Sequence, residues 1–263
     1  MTSSPDRHVL DRPRLDVVHG RPDSAADLVV VAHGGQDKSL DDAHERRPSL
    51  LRMWPFVAAA HAGAPAAAVA LLRYRFRGWN GPDAHAMADL RTVLDGLPPS
   101  VERIVLVGHS MGGRAVLRCG DDPRVVGVLA LAPWLPEAEP TTDLRGRVVV
   151  TAHGVQDRMT DPRGTAQFVV RLRRHGVRVA ELAVEADTHA LLHRHGDWAE
   201  LVRRFVGGCI GGAEIDPLLT EALSDDPSRP AVLLPRWSDA HGRLGAVLSI
   251  ARARMARRST RGG

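Results

Sequence analysis

The chain has 263 residues, 44% of them apolar and only 4% aromatic, with a formal net charge of +4; that is enough for one domain with a sizeable core. Its two cysteines, Cys119 and Cys209, exclude a disulfide framework and fit a reducing compartment, so the cytoplasm is expected. No run approaches the roughly 20 apolar residues of a membrane span.

In chain order, residues 1–14 are polar and rich in Pro, Arg and Asp, which predicts a flexible segment and not a secretory signal. Residues 15–19 and 28–32 read as an opening antiparallel pair of strands, and 46–60 as a helix interrupted at Pro48 and Pro55. A strand over 69–76, a helix over 83–97, a strand over 101–107, a helix over 111–118 and a strand over 125–131 follow. Then come a strand at 148–152, a helix at 163–175, a strand from 178 whose loop presents His189, and a last helix at 197–206. This alternation predicts an α/β fold, with a mostly parallel central sheet and helices on both faces. The stretch 133–147 is long enough for a loop but too short for a helical cap domain, so the cleft is expected to be open. Glycines 207, 208, 211 and 212 resemble a phosphate loop, yet no preceding strand or following Lys-Ser/Thr supports one. They read as a hinge between a body, 15–207, and a basic extension, 208–263. Residues 243–263 hold six arginines and no acid, while the first 242 residues carry 29 basic against 31 acidic side chains. Such a tail suits nucleic acid or an acidic membrane surface. Without interleaved aromatics or a nucleic-acid motif, a solvated arm is expected and nucleic acid is not an expected partner.

The chemistry concentrates at Gly108-His109-Ser110-Met111-Gly112, where an apolar strand runs straight into a helical pattern. A serine on so sharp a strand-to-helix turn needs glycines two positions to either side, and is the candidate nucleophile. It needs a base, and the base needs an orienting acid. Asp157 follows the 148–152 strand and His189 follows the strand from 178. Asp157 could instead cap the next helix, but Asp161 before Pro162 is the better cap by position. His189 has His193 and His195 nearby, without a cysteine or carboxylate at metal-ligand spacing, so no metal is expected. His109 and His153 are expected to pack or to line the cleft.

On these residues the chain resembles the α/β-hydrolase superfamily, and within it the capless esterases and dienelactone-hydrolase-like proteins. The resemblance covers about residues 15–207. It is carried by Gly108 to Gly112, by His153-Gly154-Val155-Gln156-Asp157, by Thr188-His189 and by His33-Gly34-Gly35 after an apolar strand. It implies a Ser110, Asp157, His189 triad and an oxyanion hole made by the backbone N–H groups of Met111 and of Gly35, or of Gln36 one residue on. Trp79 and Trp134, after strands, are candidate pocket residues. The resemblance implies a serine esterase acting on a small soluble acyl substrate, without metal or organic cofactor. A thioesterase or small peptidase would use the same triad, and a non-catalytic binding protein could share the fold.

Overall fold

The computed structural model describes residues 12–43, 47–239 and 243–260. Its elements are β1 (Arg14–His19), β2 (Asp27–Ala32), α1 (Pro48–Leu51), α2 (Trp54–Gly63), β3 (Ala68–Arg73), α3 (His85–Asp95), β4 (Arg103–His109), α4 (Met111–Cys119) and β5 (Val125–Leu131). They continue with β6 (Val148–Gly154), α5 (Pro162–Arg174), β7 (Val179–Val184), α6 (His195–Ile210), α7 (Pro217–Ala222), β8 (Leu223–Ser224), β9 (Val232–Leu233) and α8 (Arg243–Thr260). Most of the predicted segments 1–14 lies outside the described residues, and β1 already begins at Arg14.

The period of two along each strand divides the core into two layers. Leu28, Val30 and Ala32 of β2 join one cluster with Leu90 of α3, Val116 of α4 and Phe168 of α5. Val29 and Val31 face the other, with Val57 of α2 and Trp198, Leu201 and Phe205 of α6. Helices therefore cover both faces of the sheet. Because both faces are covered, the inner strands read as continuous apolar runs.

The strand order is β1-β3-β2-β4-β5-β6-β7-β8, with β9 also paired to β7. Strands β2 to β7 pair in parallel. The expected β1–β2 hairpin does not form. β1 lies antiparallel to β3, with Leu15 opposite Leu72, while β2 is enclosed by β3 and β4. A strand with an unbroken buried apolar run, Leu28 to Ala32 of β2, belongs inside the sheet, and the half-exposed β1 suits its edge.

Two further differences have local causes. The helix expected over 46–60 is two, α1 and α2, each with its proline in the first turn, where a missing N–H costs nothing. The expected glycine hinge begins inside α6, which continues to Ile210. Gly207 and Gly211 lie against the main chain of Gly63 on α2, so these glycines let two helices approach closely. Beyond them, Leu219, Ala222 and Leu234 are buried in the second core cluster. The expected cap for α5 is present: the Asp161 carboxylate accepts the N–H of Arg163 at 2.9 Å. The connection from β5 to β6, residues 132–147, runs as turns and loop.

Candidate active site

The carboxyl ends of the parallel strands gather the sequence-predicted residues at one rim, as expected of an open α/β sheet. Ser110 sits between β4 and α4 with φ +57° and ψ −119°, a conformation that strains any L-residue. Its neighbours make that turn possible. A methyl group built on Gly108 collides with the backbone of Gly112, and one on Gly112 falls 2.7 Å from the His33 carbonyl oxygen and closer still to that of Ala32. Gly112→Ala therefore sets side chain against main chain, which cannot rotate away. We expect a loss of about 3 kcal/mol or more in urea unfolding; a variant within 0.5 kcal/mol (about the scatter of surface substitutions) would contradict this reading of the turn.

Ser110 Oγ lies 2.9 Å from His189 Nε2, and His189 Nδ1 lies 2.8 Å from Asp157 Oδ2. An Nδ1–H donated to the carboxylate leaves the Nε2 lone pair facing the serine hydroxyl. Asp157 follows β6 through a tight turn in which its N–H bonds to the Gly154 carbonyl. Its Oδ1 accepts the N–H groups of Met159 and Thr160 at 2.8 and 3.0 Å. Its Oδ2 also accepts the Thr160 hydroxyl at 2.8 Å and His153 Nε2–H at 3.1 Å. Burial pushes the Asp157 carboxyl up, but the hydrogen bonds from His153, His189 and Thr160 outweigh it and hold the group far below the usual carboxylate range.

The expectation for His153 and His109 was packing or cleft lining; both are buried and both bond to the site. His153 Nδ1 accepts from Thr165 at 2.8 Å, which directs its Nε2–H toward Asp157. His109 Nε2–H donates to the main-chain carbonyl of His189 at 2.9 Å. Burial, reinforced by His189 nearby, holds His109 well below the ordinary imidazole range, so it stays neutral.

Sequence reasoning missed Thr160 and Asp187. The latter, fully buried, holds the loop that carries His189: its carboxylate accepts Thr188 N–H at 2.7 Å, Arg194 N–H at 2.9 Å and Trp198 Nε1–H at 2.8 Å. Leu191 and Ala186 in this loop take positive φ, +56° each, so the loop is strained as well as anchored. Behind it, Arg194 and Asp197 form a buried ion pair at 2.8 Å. Arg194 also donates to the carbonyls of Leu234 (3.2 Å) and Pro235 (2.6 Å), and Asp197 accepts the N–H groups of Trp237 (2.7 Å) and Ser238 (2.9 Å).

On the other side of Ser110 lies the His33-Gly34-Gly35 loop after β2. Gly34 faces the Ser110 side chain, and Gly35 faces the side chain of Met111. Met111 is the first residue of α4, where a main-chain N–H has no intrahelical acceptor. The Gln36 N–H is already given to the Arg77 carbonyl at 2.8 Å. His33 donates from Nδ1 to the Gly34 carbonyl at 2.7 Å, and burial lowers its ring to about 4, with Arg73 adding to the effect. The unfolded chain takes up this proton below 6.5, while the folded chain does so only near 4. Stability from this group is thus full above pH 6.5 and lost as pH falls toward 4, by about 3 kcal/mol. Urea midpoints measured between pH 7 and 4 should drop less steeply in His33→Asn; equal slopes would rule His33 out as a source.

Two cavities border the site. One of about 550 Å³ is lined by Gln156, Arg158, Met159, Thr188, His189 and Ala190. The other, about 190 Å³, is lined by Gly34 and Gly35 together with Arg47 and Arg77. Trp79 and Trp134 line neither. Trp79 is buried, and the Arg114 guanidinium lies 3.7 Å from its ring centre and 4.8 Å from that of the half-buried Trp134. Arg114 in turn pairs with buried Glu139 at 2.6 Å. Among the described residues no group of three His, Cys, Asp or Glu side chains is arranged to hold a metal, and no helix is long and apolar enough to cross a membrane.

No protein-family model matches the chain, and no curated protein sequence does. Solved structures do. Est1E from Butyrivibrio proteoclasticus with ferulic acid bound superposes with a TM-score of 0.55 at 16% identity, over 76% of this chain and 95% of that one. The esterase Pf2001 from Pyrococcus furiosus gives 0.53 at 14% identity, over 72% and 83%. An alpha-beta serine hydrolase homologue from Coxiella burnetii gives 0.51 at 15% identity, over 72% and 89%. Such likeness, spread over about three quarters of the chain and joined to the sheet order above, establishes that the chain has the α/β-hydrolase fold.

Proposed function

We propose that this chain is a serine hydrolase that cleaves carboxylic esters of small soluble substrates through an acyl-enzyme on Ser110. The observation that carries the proposal is the path from the Ser110 hydroxyl through His189, 2.9 Å away, to Asp157, 2.8 Å further on, starting at a serine of positive φ. His189 Nε2 takes the hydroxyl proton as Ser110 Oγ bonds to the ester carbonyl carbon. The carbonyl π pair moves to oxygen and is met by the main-chain N–H groups of Gly35 and Met111. Gln36, whose N–H is engaged by Arg77, is set aside as a donor. Collapse expels the alcohol, which leaves with the proton from His189. Water then attacks the acyl-enzyme with the same histidine as base, releasing the acid and restoring Ser110. Asp157 stays ionised throughout and stabilises the imidazolium.

The cavity beside His189, with Met159 79% exposed at it, suits an apolar acyl or alcohol group of modest size. Ester cleavage is the chemistry favoured by the neighbours, of which Pf2001 is an esterase and Est1E holds ferulic acid. Free Cys119 and Cys209 suit a reducing compartment such as the cytoplasm.

A fluorophosphonate probe tests the proposal directly. We expect one covalent label per chain, on the peptide containing Ser110, together with release of p-nitrophenol from short-chain esters. Parallel assays with thioesters and anilides rank the leaving groups. A folded protein that neither takes the label nor turns over any of these substrates would leave a binding protein on a hydrolase fold as the better reading.

A further inference from the structure

Over its described side chains, residues 245–255, helix α8 docks by one face. It packs on α2 and α6, with Ala246 buried and Ala253 set against the second core cluster. The face turned to water is where polar residues are expected on a docked helix. Here it carries Val247, Leu248 and Met255, exposed by 59%, 49% and 60%, with Ala251 exposed among them. At 3.6 residues per turn, positions 247, 251 and 255 form one line with 248 alongside. Exposed Arg254 lies on one flank of that stripe and exposed Arg252 on the other. The helix contains five arginines and no acidic residue.

Charge decides between the possible occupants. Nucleic acid would engage the arginines but leave Val247, Leu248 and Met255 in water. A second copy of the helix would bring arginine flanks against arginine flanks. An anionic bilayer satisfies both halves of the surface: the stripe enters the acyl boundary, and the guanidinium groups meet lipid phosphates while their stems lie along apolar surface. We propose that the outward face of α8 seats this protein on an anionic lipid surface, with Val247, Leu248 and Met255 entering the interface between Arg252 and Arg254. This places the chain on a membrane without spanning it, and it does not depend on the hydrolase reading.

Sedimentation of the full chain with vesicles tests it, using phosphatidylcholine alone and phosphatidylcholine mixed with phosphatidylglycerol. We expect binding to the anionic vesicles and little to the neutral ones. Replacing the stripe, Val247→Ser with Leu248→Ser and Met255→Ser, keeps every charge and should weaken binding about tenfold or more. Arg252→Gln with Arg254→Gln should weaken it by roughly fivefold per arginine on anionic vesicles. All five side chains are exposed, so unchanged thermal midpoints are expected and serve as the folding control. Absence of binding to anionic vesicles overturns the proposal. So does binding that the stripe variant leaves intact, since charge alone then explains it. A wild-type dimer that the stripe variant turns into a monomer, or tighter binding of duplex DNA than of vesicles, assigns the face to another partner and overturns it equally.

Discussion

Ser110→Ala is expected to fold as the parent does and to lose ester hydrolysis by about 10⁶-fold in kcat. The variant keeps the Cβ and the backbone of the turn, and deletes the oxygen 2.9 Å from His189 Nε2. His189→Ala should cost about as much, and the double variant no more than either alone, because a nucleophile without its base and a base without its nucleophile are equally idle. Initial rates on p-nitrophenyl esters, corrected for uncatalysed hydrolysis, measure this. If Ser110→Ala kept a hundredth of the activity (about 10⁻² against the expected 10⁻⁶), the nucleophile would have to be sought elsewhere. Strictly additive losses would show that the two side chains act apart.

Asp157→Asn should lower kcat by about 10⁴-fold while leaving the Ser110 to His189 distance nearly unchanged. The amide cannot keep both the tautomer and the turn. Its NH₂ group must face either the N–H groups of Met159 and Thr160 at the Oδ1 position, or His189, His153 and the Thr160 hydroxyl at the Oδ2 position. Either way donors oppose donors, at about 1–3 kcal/mol of folding stability in addition to the lost rate. Since the carboxyl is held far below 3.8, its contribution to stability is fully present above that pH and lost only as the solution becomes more acidic. Thr160→Val separates the partners: it removes one donor to Asp157 and should lower kcat modestly, with KM little changed. A variant Asp157→Asn with full activity but reduced stability would assign the residue to the turn alone.

The meeting of Ser110, Asp157 and His189 was legible because each follows a strand and each has a type that this chemistry would dictate. The α/β layering was legible for a similar reason, since buried parallel strands leave uninterrupted apolar runs such as that of β2. Much of what escaped depends on contacts that exist only once turns, loops and helices have folded back on one another. His153 looks like a packing residue until the turn after β6 folds Asp157 back onto it, and Thr160 reaches the same carboxylate because the bend that follows Asp157 turns back over it. Asp187 is two residues from His189, but its partners Arg194 and Trp198 lie on the loop and helix beyond. The pairing of β1 with β3 was lost to the assumption that adjacent strands pair, although the apolarity of β2 already argued for an inner position. The Gly207 to Gly212 run shows the reverse error: glycine is also the residue of close helix contact, and composition does not separate that use from a hinge.

The ties from Arg194 and Asp197 to residues 234–238 give the protein a timetable. A growing chain possesses Ser110, Asp157 and His189 once residue 189 has been made, yet the backing of the histidine loop, residues 234–238, is still to come. Because synthesis proceeds from the N-terminus, the loop that carries His189 gains this backing only after residues 234–238 have been made, so the final placing of the histidine waits on a segment distant from it in sequence.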